Sequence, residues 1–184
     1  ELHTHCRYYT IGTENIFKIA KKFDFKVVYA SSSSVYGNQK TFPIKESAPK
    51  NPLNPYGKSK LQAEESAQKY SKSGVKIIGL RYFNVFGPKQ NPDNPYAAVI
   101  PIFAKAFLTG EEITVNGDGE TSMDFTFVQN AIKMNDLSLF TNNPNAINQI
   151  YNTACSDRIS LNEMIRELSN LTGSVIKVKY GPER

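Results

Sequence analysis

The sequence has no tryptophan and only two cysteines and two histidines among its 184 residues. So few thiols exclude a disulfide scaffold, and we expect Cys6 and Cys155 to be small buried residues in a reducing, cytoplasmic setting. We expect His3 and His5 to be solvated near the N-terminus, and without another histidine a Ser-His-Asp triad is excluded. We also predict no metal site. No stretch approaches the roughly 20 apolar residues that cross a bilayer, so we predict no membrane contact.

The charge balance is mildly basic, with 22 lysines and arginines against 17 acidic residues and a net charge of +5. The basic residues are scattered, and Lys21 and Lys22 are the only adjacent pair. The sequence therefore predicts no nucleic-acid partner, while a mild excess of positive charge suits a small anionic ligand. The chain also lacks an initiator methionine and a signal-peptide pattern, from which we expect processing or truncation.

The hydrophobic pattern alternates between helical and strand-like segments. Helices are predicted over residues 13–23, 55–73, 98–108, 128–140 and 160–173, and strands over residues 26–30, 75–81, 113–116, 125–128, 149–154 and 175–180. The last helix opens with a capping box at Ser160 and Glu163, and Gly173 ends it. This alternation is typical of an α/β fold with a parallel sheet.

Two side chains of the second predicted helix, Tyr56 and Lys60, are spaced for joint chemistry. They are four residues apart and therefore project from one face of the helix. A nearby cation stabilises the phenolate form of a tyrosine, which would let Tyr56 act as a general acid or base. The spacing alone has a simpler explanation, because the same pattern is common on solvated helix faces.

Two further segments are predicted to meet this helix. The serine-rich segment 30–37 follows the first strand, and the segment 80–88 ends the second. Because ligands of open α/β sheets bind beyond the carboxyl ends of the strands, we expect both segments and Tyr56 to share one crevice. The alternatives are a simple turn for the serine run and core positions for Tyr82 and Phe83.

Four sequence motifs occur in a characteristic order and spacing. They are Ser-Ser-Ser-Ser-Val-Tyr-Gly at 31–37, Tyr-Gly-Lys-Ser-Lys at 56–60, Arg-Tyr-Phe-Asn-Val-Phe-Gly-Pro at 81–88 and Asn-Gly-Asp-Gly-Glu-Thr-Ser-Met-Asp-Phe at 116–125. Together they resemble the extended short-chain dehydrogenase/reductases, specifically the nucleotide-sugar 4-epimerases, from about residue 12 to residue 184. The resemblance implies a partial Rossmann-like parallel sheet with a smaller C-terminal α/β region that binds substrate.

The resemblance also implies a reaction, NAD-dependent epimerisation at C4 of a UDP-sugar through a transient 4-keto sugar. Tyr56 would take the proton of the sugar 4-hydroxyl, and Lys60 would hold the nicotinamide ribose. Ser32 would hydrogen-bond the same sugar hydroxyl, with Ser33 as a helper. The residues implied to contact NAD are Ala30, Ser31, Tyr56, Lys60, Tyr82 and Phe83.

A further set of residues is implied to bind the UDP-sugar. These are Ser33, Asn84, Ala98, Val99, Phe103, Thr114, Asn116, Arg158 and Arg184. Asn84 would contact the diphosphate, and Arg158 and Arg184 would hold the phosphates or the ribose. The segment 95–101 most resembles the branch acting on UDP-N-acetylglucosamine, with UDP-glucose/UDP-galactose and uronic-acid branches as alternatives. A sugar 4,6-dehydratase is disfavoured, because Ser33 and Ser34 stand where those relatives carry an Asp-Glu pair.

The chain departs from this family in several places. The Gly-rich strand–turn–helix that binds the NAD pyrophosphate is missing, and the Gly-Asp-Gly at 117–119 lies too late in the chain to replace it. Met123 stands where the family has a phosphate-binding arginine, and Tyr9 where it has an asparagine. The missing Gly-rich segment and Met123 favour an alternative of another class, a non-catalytic module that binds nucleotide sugars.

The family layout predicts two regions. Residues 1–87 would form the C-terminal part of the NAD-binding Rossmann domain with the catalytic residues. Residues 88–184 would mainly bind the UDP-sugar, with some segments returning to the Rossmann sheet. The resemblance further implies a homodimer, in which the helices over 13–23 and 55–73 pair as a bundle across a two-fold axis.

Overall fold

The computed structural model describes residues 2–94 and 97–183, with side chains from residue 9 onwards. Its helices are α1 (Leu2–Phe23), α2 (Pro55–Ser71), α3 (Val99–Thr109), α4 (Val128–Phe140) and α5 (Leu161–Thr172). Its strands are β1 (Val27–Ser32), β2 (Ile77–Tyr82), β3 (Val85–Phe86), β4 (Ile113–Asn116), β5 (Ser122–Met123), β6 (Thr126–Phe127), β7 (Ile150–Thr153), β8 (Ile159–Ser160) and β9 (Val178–Gly181). Short 3₁₀ helices lie at Ser33–Val35 and Pro144–Ala146. Arg184 and the side chains of His3, His5 and Cys6 lie outside the described residues.

The chain divides into two compact units. The first unit contains the residues up to Phe83 together with Gln129–Ala154, and the second contains Asn84–Val128 and the segment from Cys155 onwards. Each unit has its own cluster of buried apolar side chains. Among the described residues, no helix combines the length and the apolar character that a membrane crossing requires.

A three-stranded parallel sheet in the order β1-β2-β7 organises the first unit. Ser32 of β1 is aligned with Tyr82 of β2, which is aligned with Thr153 of β7. The three strands therefore end level with one another, and their carboxyl ends form one edge. This confirms the prediction of an α/β fold with a parallel sheet.

Helices α1 and α2 cover one face of this sheet. Phe17 and Ala20 of α1 and Ala67 of α2 form a buried cluster with Val27 of β1 and Ile77 of β2. The helix predicted to begin at residue 13 begins at Leu2, so its first three turns were missed. The closely spaced apolar residues from which the helix was recognised all lie beyond these turns, at Ile16, Ile19, Ala20 and Phe23.

The second unit is assembled from two-stranded ladders: β3 with β6, β4 with β9, and β5 with β8. The strand predicted over residues 125–128 is present as the shorter β6, whereas β5, on the other side of Asp124, was not predicted. The carboxylate of Asp124 accepts hydrogen bonds from the backbone N–H groups of Cys155 (3.0 Å) and Ser156 (2.8 Å). Cys155 lies in an exposed loop, so the expectation that it is buried is wrong.

In the second unit, α3 is shifted by one residue from its predicted bounds, and the predicted termini of α5 are confirmed. Ser160 accepts a hydrogen bond from the N–H of Glu163, whose side chain accepts one from the N–H of Ser160. Gly173 follows α5 with a φ of 66°, in the left-handed region that glycine adopts without steric cost. The face of α5 that contributes Leu161 and Met164 then packs on the second core.

Candidate active site

The carboxyl end of β1 runs into a serine turn, which we define as residues 31–36. Ser32 caps the short 3₁₀ helix within it, and its Oγ accepts a hydrogen bond from the Ser34 N–H at 3.2 Å. The same Oγ lies 3.1 Å from the Ser34 Oγ, to which it donates. The Ser32 hydroxyl is therefore held in place at the edge where the parallel strands end.

The start of α2 lies against this serine turn. Asn54 caps the helix by accepting a hydrogen bond from the Gly57 N–H at 2.8 Å. A Cβ atom at Gly57 would lie 2.6 Å from the carbonyl oxygen of Ser34, a distance that no side chain can occupy. The glycine thus lets helix and turn approach, and Tyr56, its neighbour in sequence, is brought beside the turn.

Lys60 lies one helical turn beyond Tyr56. Its Nζ is 5.6 Å from the centroid of the Tyr56 ring and 5.4 Å from that of Tyr9. The same Nζ donates a hydrogen bond to the carbonyl oxygen of Ala30 at 2.8 Å. Burial lowers the pKa of the Lys60 ammonium, whereas the Tyr56 side chain remains 43% exposed. An accessible tyrosine and a partly desolvated cation are therefore adjacent at the end of β1.

The other residues implied to contact NAD are oriented differently from one another. Ala30 is exposed and offers its carbonyl oxygen to Lys60, whereas the Ser31 hydroxyl points into the protein. Tyr82 accepts a hydrogen bond from Asn135 at 2.7 Å, and burial raises the pKa of its hydroxyl. Phe83 is buried in a small cluster with Val35 and Tyr36 of the serine turn, in agreement with the core alternative. Their contacts with NAD stay predictions.

Sequence reasoning missed a buried polar network behind the serine turn. Arg81 forms two hydrogen bonds with the Glu64 carboxylate and a third with the Tyr36 hydroxyl. Burial by itself would lower the pKa of the Arg81 guanidinium, but its bonds to Glu64 outweigh burial and raise that pKa. The Tyr36 hydroxyl in turn donates to Asn152 at 2.6 Å. Glu64 continues the four-residue spacing of Tyr56 and Lys60, the one signal that could have revealed it.

Several residues implied to bind the UDP-sugar lie on the surface of the second unit. Thr114 and Asn116 are the two exposed positions of β4. Ala98 precedes α3 and is exposed, and Val99 is the first residue of that helix. Phe103, in contrast, is 3% exposed and belongs to the core of this unit. Its role in shaping a uridine pocket stays a prediction.

The polar members of this set are held by backbone and side-chain bonds. Asn84 has a φ of 33° and donates from its amide to the carbonyl oxygen of Asp124 at 2.7 Å. Arg158 donates from Nε to the Ser122 hydroxyl at 3.0 Å. Met123, in place of the family arginine, packs against the second core. Among the residues that the structure describes, no three His, Cys, Asp or Glu side chains are grouped as metal ligands would be.

Residues 7–154 match the NAD dependent epimerase/dehydratase family. The chain belongs to this family. The solved structures to which it is similar have the same Rossmann-like α/β fold, which confirms the fold expected from the motifs.

Individual relatives are named for several UDP-sugars. The chain is 38% identical over 157 residues to a putative UDP-glucose 4-epimerase of Methanocaldococcus jannaschii, covering 84% of this chain and 50% of the relative. It is 38% identical, with a TM-score of 0.88, to a UDP-N-acetylglucosamine 4-epimerase from Methanobrevibacter ruminantium in complex with UDP-N-acetylmuramic acid, covering 94% and 55%. A UDP-glucuronic acid 4-epimerase from Bacillus cereus, in complex with UDP-glucuronic acid and NAD, is 29% identical with a TM-score of 0.85, covering 95% and 55%. The chain thus spans about half the length of the curated relatives it matches.

Proposed function

We propose that the protein containing this chain is an NAD-dependent UDP-sugar 4-epimerase. The observation that carries this proposal is the grouping of Tyr56, Lys60 and the serine turn at the carboxyl end of β1. A half-exposed tyrosine beside a partly desolvated ammonium is suited to move a proton to and from a sugar hydroxyl. The names of the relatives support the same reaction class.

The residues around Lys60 fit the cofactor that the family uses. An ammonium, a phenolic hydroxyl and the exposed end of a strand offer the donors and acceptors that the ribose of NAD requires. NAD, when bound, would accept hydride from C4 of the sugar and return it. Lys60 would hold the ribose by exchanging its bond to the Ala30 carbonyl, and the aromatic rings of Tyr9 and Tyr56 keep its ammonium nearby.

Tyr56 and Ser32 would handle the proton. The phenolate oxygen of Tyr56 would take the proton of the sugar 4-hydroxyl as the C4–H bond breaks, and would return it after the 4-keto sugar has turned over. Ser32 Oγ donates to Ser34 in the structure, so its hydrogen can be redirected to the sugar oxygen while Ser34 N–H still holds it. Lys60 would place its positive charge beside the Tyr56 ring, 5.6 Å from the ring centroid, while this proton moves.

Within this class we favour UDP-N-acetylglucosamine/UDP-N-acetylgalactosamine as the substrate pair. The motif around residues 95–101 and the similarity to the Methanobrevibacter epimerase support this choice. UDP-glucose and UDP-glucuronic acid are the alternatives, supported by the names of other relatives. Asn84 and Arg158 are proposed to contact the diphosphate, since an amide and a guanidinium suit phosphate oxygens.

A competition assay tests this proposal. The purified protein is incubated with NAD, UDP-N-acetylglucosamine and UDP-glucose together, and the four UDP-sugars are separated by anion-exchange chromatography. UDP-N-acetylgalactosamine should form ahead of UDP-galactose, and the reverse order would favour the alternative. Tyr56→Phe should lower kcat by about 10²–10⁴-fold, because it removes the acid/base hydroxyl. The control Tyr180→Phe, at a tyrosine of similar exposure in the second unit, should retain activity.

A non-catalytic module that binds nucleotide sugars is the second candidate. Met123 favours it, because a thioether packed against the core supplies no charge to a diphosphate. Isothermal titration with UDP and with NAD separates the two functions. Binding of UDP without binding of NAD, together with no product in the assay, would favour the module over the epimerase.

We also propose a homodimer that uses α1. Ile16, Ile19 and Phe23 lie on one stripe of this helix and are exposed, whereas Phe17 and Ala20 fill the core. A second copy of the same stripe would remove these apolar side chains from water. Light scattering at micromolar concentration should give a dimer, and Ile16→Lys with Ile19→Lys should give a monomer. A monomeric parent would contradict the proposal.

A further inference from the structure

A buried ion pair lies directly behind the serine turn. Glu64 of α2 is 4% exposed and Arg81 of β2 is 1% exposed. Their two hydrogen bonds run from Arg81 Nε to Glu64 Oε1 (2.8 Å) and from Arg81 Nη2 to Glu64 Oε2 (2.7 Å). Because burying two charges costs much of what their attraction returns, such a pair adds little net stability. Its remaining hydrogen bonds indicate a different role.

Both ends of the serine turn are bonded to this pair. Ser31 Oγ donates to Glu64 Oε1 at 2.6 Å. Arg81 Nη1 donates to Tyr36 Oη at 2.6 Å, and the guanidinium carbon lies 4.7 Å from the centroid of the Tyr36 ring. Ser32 lies between the two attachment points and directly follows one of them.

Glu64 also belongs to the stripe of α2 that carries the proposed catalytic residues. Tyr56, Lys60 and Glu64 follow one another at intervals of four and so lie on one face of the helix. Lys60 donates to the carbonyl oxygen of the residue before Ser31, and Glu64 accepts from Ser31 itself. Successive turns of α2 therefore hold successive residues of β1, immediately before Ser32.

We propose that Glu64 and Arg81 are positioning residues, which fix the Ser32 hydroxyl relative to the face of α2 that carries Tyr56. They act through Ser31 and Tyr36 and are buried behind the turn. The proposal rests on the proposed function, because the geometry that they fix is that of its acid/base group and its serine. The function of the ion pair is thus to keep these two side chains in a fixed relative position.

Two conservative variants detach the turn without breaking the ion pair. Ser31→Ala removes the bond to Glu64, and Tyr36→Phe removes the bond to Arg81 while keeping the ring. Matched controls lie in the same unit. Ser138→Ala changes a buried serine of α4, and Tyr151→Phe removes a hydroxyl that donates to a backbone carbonyl at 3.1 Å.

Amide hydrogen exchange tests the positioning without any ligand. The Ser34 N–H donates to Ser32 Oγ, so its exchange rate, measured by NMR, reports how firmly the Ser32 side chain is held. Ser31→Ala should raise that rate about tenfold, as expected for loss of one supporting hydrogen bond. The amide of Leu80 in β2 should be unaffected, as should Ser34 in the Ser138→Ala control. An unchanged Ser34 rate, or equal acceleration at Leu80, would overturn the proposal.

Steady-state kinetics provide the second test. Ser31→Ala and Tyr36→Phe should lower kcat about 10- to 100-fold with little change in KM, because misplacing a catalytic group slows the chemical step. The Ser138→Ala and Tyr151→Phe controls should retain the parent kcat. Parent-like kcat in the first two variants, or equal losses in the controls, would overturn the positioning role. An inactive parent would contradict the proposed function instead, and hydrogen exchange alone would then decide the positioning.

Discussion

The two units of the chain differ in the length of their strands and in the burial of their ion pairs. In the first unit, strands of four to six residues form a parallel sheet, and a fully buried ion pair ties that sheet to α2. In the described part of the second unit, four of the six strands have only two residues, and the Lys177–Glu112 ion pair is exposed to solvent. Buried polar bonds leave side chains few alternative positions, whereas exposed ones compete with water. The proposed proton-transfer residues lie in the unit that contains the buried ion pair.

The ion pairs should give the largest contrast. Arg81→Met would leave the Glu64 carboxylate buried without its partner, and we expect the free energy of unfolding to fall by about 3–5 kcal/mol. Lys177→Met in the second unit should lower it far less, because water largely replaces the lost bond to Glu112. Urea denaturation followed by circular dichroism measures both. Similar losses in the two variants would remove the distinction between the units.

Two glycines test how closely the backbone is packed. Gly57→Ala would push a Cβ against the backbone of Ser34, and overpacking of this kind costs about 1–3 kcal/mol. It should also lower kcat, since the turn and Tyr56 must move apart. At Gly181 of β9 an added Cβ would meet its nearest neighbour, Thr114 Cγ2, at 3.7 Å, so Gly181→Ala should be tolerated. Thermal unfolding and the epimerase assay, run on both variants, check this prediction.

The same kind of helix N-cap, a polar side chain that accepts a backbone hydrogen bond, occurs in both units. Asn54→Ala and Ser160→Ala each remove a side-chain acceptor from a helix N-terminus, and we expect each to cost about 1 kcal/mol of stability. Only Asn54→Ala should also lower kcat, because the first turn of α2 carries Tyr56. Urea midpoints measured beside kcat distinguish the two effects. Equal kcat losses would show that catalysis depends on stability alone.

The smallest expected effect is on the pH dependence of stability, where Lys60 and Lys177 should act in opposite directions. Burial lowers the pKa of Lys60, so between that value and the ordinary lysine value of about 10.4 the unfolded chain binds more protons than the folded one. The contribution of Lys60 to the free energy of unfolding therefore rises with pH in that window. Glu112 raises the pKa of Lys177. The contribution of Lys177 to the free energy of unfolding is therefore full below the ordinary lysine pKa and is lost as the pH rises through its raised pKa. Urea denaturation from about pH 8 upwards, comparing Lys60→Met and Lys177→Met with the parent, should show these opposite trends.

Local pattern was enough to predict much of the fold. The predicted bounds of β4 and α4 agree with the structure, and the capping box at Ser160 is present. These features depend on residues within a few positions of one another, through alternation, helical spacing or a cap. The two-residue ladders were missed because β5 and β8 stabilise each other from distant parts of the chain.

The candidate site was likewise predicted only in part. The spacing of Tyr56 and Lys60 and the serine run are visible in the sequence, and the structure places them together. The buried network of Glu64, Arg81 and Tyr36 was not predicted, because charged residues are normally exposed and nothing local marks a pair that is buried.

The sequence by itself thus determined the order of the helices and the longer strands, the family and the spacing of the proposed catalytic residues. These follow from side-chain periodicity and from motifs that are short and local. Only the tertiary structure decided that Gly57 allows α2 to touch the serine turn, that Met123 packs against a core and that Arg81 binds both Glu64 and Tyr36. Each of these depends on the packing of segments far apart in the chain, where excluded volume and the cost of an unpaired buried charge select one arrangement.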